Sequence, residues 1–230
     1  LDRNEARNPQ LYIVPSVSNN LNKRHMKNCI LILTLLIAST LSYGQESKNG
    51  IVMTTDKTVD NSDIRRLLKF EGIQFLKMSF HGDELVNKSY HLTVKEIWDG
   101  EIKSESDVIN SIKSPFEKLK RINDTIFTID IISKLTLKNK LKMSFHFPGF
   151  TTERQFDAIE SDDYSLRNLV EVNKTKIEPG KKFYFLAYIL PYEKDGTSYW
   201  CAVEKNGKVI ENWGKEFGIK HYLVFEMIFE

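Results

Sequence analysis

The sequence predicts a mainly β fold, an antiparallel β-sandwich with short helices, and three observations carry that prediction. From Leu135 to Phe147 the odd positions are apolar except Asn139, while the even ones are Thr, Lys, Ser or His. This period of two belongs to a strand with one wet face. Two later runs, 182–190 (KFYFLAYIL) and 221–229 (HYLVFEMIF), are apolar on both faces and read as central strands of a buried layer. Turn pairs punctuate the chain, with Pro179-Gly180 before the first of these runs and Asn206-Gly207 between SYWCAVE and KVIENW. Both Asn and Gly tolerate positive φ, so the second pair predicts a type I′ hairpin.

Taken in order, residues 1–25 mix Asn, Arg and Pro without periodicity, contain no methionine and read as an upstream segment outside the fold. Residues 26–44 read as an export signal. Lys27 follows Met26, an apolar run extends from Cys29 to Leu41, and small residues precede a cut between Gly44 and Gln45. That run falls short of the roughly 20 apolar residues needed to span a bilayer as a helix, so no permanent membrane anchor is expected. Cys29 stands at the beginning of the run, not at its end, so no lipid is expected either.

Residues 45–60 are expected to be a disordered linker, and 61–230 the sandwich, with a possible sub-boundary near 150–175. Asn61-Ser62-Asp63 offers a cap for a helix through Leu68, and Ser161-Asp162-Asp163 one for a helix through Val170. Strands are expected at Gln74–Phe80, Tyr90–Trp98 and Thr125–Ile132, rich in β-branched and aromatic residues. Lys138-Asn139-Lys140 either continues one long strand or turns a hairpin. The segment 104–122 stays ambiguous because Pro115 interrupts a helix. The hexapeptide LKMSFH occurs at 76–81 and again at 141–146, but its flanks do not match. It reads as two strands with similar burial. One large sandwich, two tandem small ones and an immunoglobulin-like order all fit the pattern.

The chain holds 33 basic and 31 acidic residues, and the first 45 positions take five of the former and two of the latter. The remaining 185 residues carry 28 basic against 29 acidic side chains in mixed order, which is no footprint for nucleic acid. Of the two cysteines, Cys29 leaves with the signal and Cys201 cannot form an intramolecular disulfide alone.

No nucleophile elbow, zinc-binding helix, phosphate loop or cofactor fingerprint is present, so no catalytic residue, metal or cofactor is assigned. His81, His91, His146 and His221 lie on or beside strands without metal-site spacing, and the acidic residues 157–163 lack a calcium loop. The candidate ligand-binding residues are aromatic: Trp98, Trp213 and Tyr192, with both tryptophans at predicted strand ends. Such a platform suits a glycan or an envelope protein. Asp124-Thr125-Ile126 resembles the Asp-Thr/Ser-apolar O-glycosylation site of exported bacteroidete proteins, which makes Thr125 a candidate for modification.

The segments RRLLKFEGIQFLKMSFHG, SYHLTVKEIWDGEI, KLKMSFHFPGF, SDDYSLRNL, KKFYFLAYILPYE and NWGKEFGIKHYLVFEMIFE together resemble small exported bacteroidete proteins classed as a domain of unknown function. The resemblance spans most of 60–229. It implies a periplasmic or surface location and a mostly β fold, and it transfers no catalytic residue. The expectation is therefore an exported cell-envelope β-sandwich acting as a binding or structural accessory module. A secreted hydrolase of glycans or peptides and a small outer-membrane β-barrel are the alternatives. Amino-terminal sequencing of the exported protein should return Gln45 as its first residue; any start far from that position would remove the proposed cut.

Overall fold

The alternation of 135–147 folds as a hairpin. Strands β5 (Ile126–Leu135) and β6 (Lys140–Phe147) pair antiparallel around a turn in which Asn139 adopts φ 50°. The structure is a computed structural model that describes residues 50–199 and 210–230. The expected signal, its cut at Gly44 and Gln45, Cys201 and the Asn206-Gly207 hairpin lie outside the described residues.

Around that hairpin grows the first sheet, in the order β1-β2-β5-β6-β7, with β1 Val52–Asp56, β2 Gln74–His81 and β7 Phe150–Asp157. The second sheet runs β4-β3-β12-β9-β8, with β3 Tyr90–Trp98, β4 Glu101–Asn110, β8 Ser165–Asn168, β9 Phe183–Ile189 and β12 His221–Phe229. Every pairing is antiparallel. A two-stranded ribbon, β10 Tyr192–Lys194 with β11 Thr197–Tyr199, follows β9.

The sheets pack face to face through the inward half of each alternation. The two LKMSFH copies form β2 and β6 on either side of β5, and their inward residues Leu76, Met78, Phe80 and Leu141, Met143, Phe145 are all fully buried. Opposite them lie the inward residues of β12, with Phe80 against Phe229 at 5.2 Å and Phe145 against Phe225 at 5.5 Å between ring centres. The chain crosses between sheets after β2, β4 and β7, so the strands of the two layers interleave along the sequence. This makes one large sandwich and overturns the tandem pair and the sub-boundary near 150–175. In an immunoglobulin order the last strand lies at a sheet edge beyond its neighbour. Here β12 instead enters the middle, between β3 and β9. Among the described residues β1, β7, β4 and β8 each pair on one side only, so the sheets keep open edges and do not close into the barrel considered above.

Several local expectations change in three dimensions. The linker expected through residue 60 already contains β1, because Met53 reaches the core and the backbone of 52–56 completes the edge beside β2. Helix α1 (Ser62–Phe70) forms as expected, its first N–H groups taken by the Asn61 side chain. The helix expected from Ser161 does not form there. Tyr164 enters the core, β8 follows, and the true cap is Asn168, whose side chain accepts from Val170 and Glu171 at the start of α2 (Leu169–Asn173). The ambiguous 104–122 becomes most of β4 and two short 3-10 turns on either side of Pro115. Trp213 begins a short helix, α3 (Trp213–Phe217), and not a strand end.

The segment carrying α3 covers the outer face of the second sheet. The Tyr222 hydroxyl on that face donates to carbonyls of Ile210 and Glu211, at 3.0 and 2.9 Å, and accepts from the Gly214 N–H. Gly214 meets the β3–β4 turn so closely that a Cβ there would lie 2.3 Å from the Gly100 nitrogen. Because Leu76 and Leu141 are both fully buried in the core, Leu76→Ala and Leu141→Ala should each lower unfolding stability by about 2–5 kcal/mol in urea titrations. A loss under about 1 kcal/mol for either would contradict the shared burial.

Candidate binding groove between the free sheet edges

Strand β4 is a free edge of the second sheet and β7 a free edge of the first, and the two run antiparallel along one side of the sandwich. Two bulges make them meet. Opposite β3, the residues of β4 that lack a partner are Lys103 and Val108, where the register shifts. A bulge re-aims the residue that it frees, and these two positions are the ones that reach across. Lys103 Nζ stands 3.3 Å from the Asp157 carboxylate, and the Val108 carbonyl accepts from Arg154 Nη2 at 2.7 Å. Arg154 also donates to the carbonyls of Asp107 and Glu153 and to the Thr152 hydroxyl. One guanidinium thus satisfies edge carbonyls that a second chain would otherwise bond.

On one side of the Arg154 bridge opens a pocket of about 380 Å3, within the roughly 300–1,000 Å3 typical of small-molecule sites. Its walls are Val108 and Ile109 from β4, Pro115, Phe116 and Leu119 from the turns that follow, and Phe150 from β7. Phe116 is 61% exposed at the mouth. Phe150 stacks on buried Phe147 at 4.9 Å and so belongs to the rigid sheet. Asp107, Lys113 and Arg154 supply the polar rim. Asp107 is hydrogen-bonded by His91 at 2.7 Å and Lys113 at 3.2 Å, and these partners, His91 foremost, hold its carboxyl below the usual range.

On the other side of the bridge the groove is polar and shallow, lined by Trp98, Lys103, Lys138, Asn139, Asp157 and Ala158. Pairing with β12 places Tyr90, Leu92, Val94, Glu96 and Trp98 on the inward side of β3. A carboxylate therefore sits at the last buried position of an otherwise apolar row. Glu96 accepts from Trp98 Nε1 at 2.6 Å and from the Ser104 hydroxyl at 3.2 Å, with Lys103 Nζ at 3.6 Å. Beneath it, His221 is fully buried. Its Nδ1 bonds the Tyr164 hydroxyl at 2.5 Å, and that hydroxyl also accepts from the Ile159 N–H. The phenol proton is thus directed to Nδ1, and the neutral ring carries its own on Nε2. There it lacks a hydrogen-bond partner and faces Glu96 at 3.9 Å.

Lys103 has carboxylates on both sides, Glu96 at 3.6 Å and Asp157 at 3.3 Å, which places those two oxygens no more than about 7 Å apart. Glycosidase pairs occupy this range. That chemistry needs one carboxyl protonated, the other ionised, and room between them for the scissile bond. Hydrogen bonds from Lys140 and then Lys103 hold the Asp157 carboxyl low, and an ammonium occupies the space between the pair.

The aromatic residues singled out in the sequence are not brought together. Trp98 is half-buried, but His221 packs on its ring at 4.2 Å and the Lys103 ammonium stands over it at 5.0 Å, so much of the ring surface that a sugar would need is taken. Trp213 is 1% exposed and packs on Tyr222; it is core and offers no platform. Tyr192 stacks with Tyr199 and Phe217 beyond the end of β9. Thr125 is exposed in the turn before β5, where Asp124 accepts from the Ile126 N–H. The histidines do not converge, and among the described residues no three His, Cys, Asp or Glu side chains could hold a metal.

Apart from Trp98, the residues that build the groove were not candidates from sequence. Glu96 had a signal, a charge in the inward register of a strand. Arg154 and Phe116 had none, since their meaning depends on partners from other strands. No protein-family model, no curated protein and no solved structure matches the chain.

Burial pushes the His221 imidazole down from 6.5 to about 4, with Glu96 opposing the shift. The folded state therefore resists protonation more than the unfolded one. The stability that His221 gives is complete above about pH 6.5 and declines as pH falls toward 4, by on the order of 3 kcal/mol. In urea unfolding at pH 7 and pH 4.5, His221→Gln should lose clearly less stability on acidification than the parent; an equal loss would contradict this assignment.

Proposed function

We propose that this chain is an exported β-sandwich that serves as a binding module in the cell envelope, and that the pocket beside β4 and β7 is its binding site. The single observation that carries this reading is an apolar cavity of small-molecule size held between two rigid strands, with Phe116 exposed at its mouth and charged groups on its rim. Apolar walls provide the driving force and a few placed polar groups the orientation. The expected ligand has one apolar portion large enough to displace water from Phe116, Leu119 and Phe150, and a polar end for the rim. A lipid-like or aromatic moiety of an envelope component meets both conditions.

Export is supported by the 26–45 pattern and by the resemblance to exported bacteroidete proteins. The glycan platform of Trp98, Trp213 and Tyr192 is not part of this reading, because those side chains stand apart and Trp213 is buried. A hydrolase is the weaker reading: Glu96 and Asp157 have the spacing, but Lys103 lies between them.

Phe116→Glu changes an exposed residue, so the fold should tolerate it while the pocket mouth gains a charge. Titrating a small aromatic fluorophore should show affinity at least about tenfold weaker in the variant, or roughly 1.4 kcal/mol. Equal affinity in both proteins would place binding elsewhere.

A further inference from the structure

We propose that the ligand of the pocket beside β4 and β7 is an amphiphile with an anionic head, and that a second cavity across Leu119 holds that head, a conclusion that rests on the binding-module reading above. The second cavity, of about 230 Å3, adjoins the first at Leu119, which lines both. Leu119 itself rests on the β6–β7 turn, where a Cβ at Gly149 would lie 3.1 Å from its Cδ2. One row of rings runs along the two cavities. Phe150, in the wall of the first, stacks on Phe147, Phe147 stacks on Tyr90 at 5.7 Å, and Tyr90 packs on Phe127 at 4.5 Å, these last two lining the second. A hydrocarbon chain that enters the first cavity therefore meets an apolar surface on its way to the second.

The polar linings differ. In the first cavity Lys113 bonds Asp107 and Arg154 bonds backbone carbonyls. In the second, donors are left over. Tyr90 is 4% exposed, and its hydroxyl has no hydrogen-bond partner among the described residues; nor is that oxygen wholly enclosed, so it opens on the cavity that Tyr90 lines. Burial pushes the phenol up to about 12, which keeps it a donor at neutral pH. Among the described residues Lys118 makes no ion pair or hydrogen bond, and Arg121 uses one N–H, on the Asn87 carbonyl at 2.7 Å. The carboxylate in this lining, Asp124, is occupied by its own loop and accepts from the Ile126 N–H and the Thr125 hydroxyl. Ser111 fixes the arrangement. Its hydroxyl accepts from the Tyr90 N–H at 2.9 Å and donates to the Lys120 carbonyl at 2.8 Å, which holds the segment of Lys118 and Arg121 beside the start of β3. Two cations and a phenol with N–H and O–H groups to spare match a carboxylate or phosphate. A neutral or cationic head gives no reason for them.

Calorimetric titration of the full chain with octanoate and with octanol, which share a chain and differ in the head, tests this. Octanoate should bind at least about tenfold tighter than octanol. Lys118→Gln with Arg121→Gln changes two exposed residues and should remove that preference while octanol affinity stays the same. Tyr90→Phe deletes only an oxygen without a partner and should weaken octanoate by about tenfold. Equal binding of the two probes, or a preference that survives the double substitution, overturns the head-group assignment and leaves the pocket reading in place. Phe116→Glu separates the two, since it should weaken octanol. Unchanged octanol binding in that variant, or no binding of either probe to the parent, overturns the pocket reading and the head-group assignment together.

Discussion

The second sheet is held together by the last strand of the chain. Strand β12 bonds β3 along nine consecutive residue pairs and β9 on its other side, and apart from half-buried Ile228 its side chains are buried on both faces. Without it, β3-β4 and β8-β9 would be two separate ribbons, each with an apolar face and no neighbour, and short ribbons of that kind are marginal in water. The end of the strand is sealed as well: Glu230 and Ser89 exchange both backbone hydrogen bonds, and Gly180 donates to Phe229. Since β3 and β12 are more than 120 residues apart, the decisive pairing is also the most distant one, and loop closure must precede most of its reward.

The groove follows from the same architecture. A sandwich with five strands in each layer leaves four edges, and two of them, β4 and β7, lie close enough to be joined by side chains. The join is made where β4 carries its two extra residues. Lys103 and the Val108 carbonyl turn toward β7, and between the resulting contacts the edge is guarded by charge and not by another strand. Either side of that guarded stretch, chemistry separates cleanly. Phe116 and Leu119 from the turns around Pro115, with Phe150 from β7, wall one cavity, whereas Glu96, Lys103 and Asp157 compensate one another in the other. Buried charge in the polar half is matched locally, so it supports the position of Trp98 more readily than it supports catalysis.

Much of the fold was legible in sequence because the relevant signals are local. Period-two alternation located β6, richness in β-branched and aromatic residues located β2, β3 and β5, Asn61 announced α1, and the repeated hexapeptide anticipated similar burial at 76–80 and 141–145. What failed was also physical. Asp162 and Asp163 suggested a helix start, but the core's demand for Tyr164 made that stretch a turn and moved the cap to Asn168. Trp213 suggested a surface strand end, but the close approach of Gly214 to Gly100 draws its ring inward. The candidate site was almost illegible: Arg154 on β7 acquires its role only opposite two bulges in β4, and register shifts leave no pattern in a single strand.

The repeated hexapeptide poses a problem of addressing for the folding chain. Strands β2 and β6 present the same six residues to β5 from its two sides but four residues apart in register, Leu76 opposite Ile131 and Leu141 opposite Leu135, and because an even shift keeps the inward residues inward, alternation alone does not tell one copy from the other or from that of a neighbouring molecule. Degeneracy of this kind is resolved by connection and not by affinity. The turn at 136–139 joins β5 to β6 within a few residues and lets that hairpin form first, which leaves the other side open for the copy that arrives later from upstream. The fidelity of the first sheet is thus a matter of timing, set by one short turn.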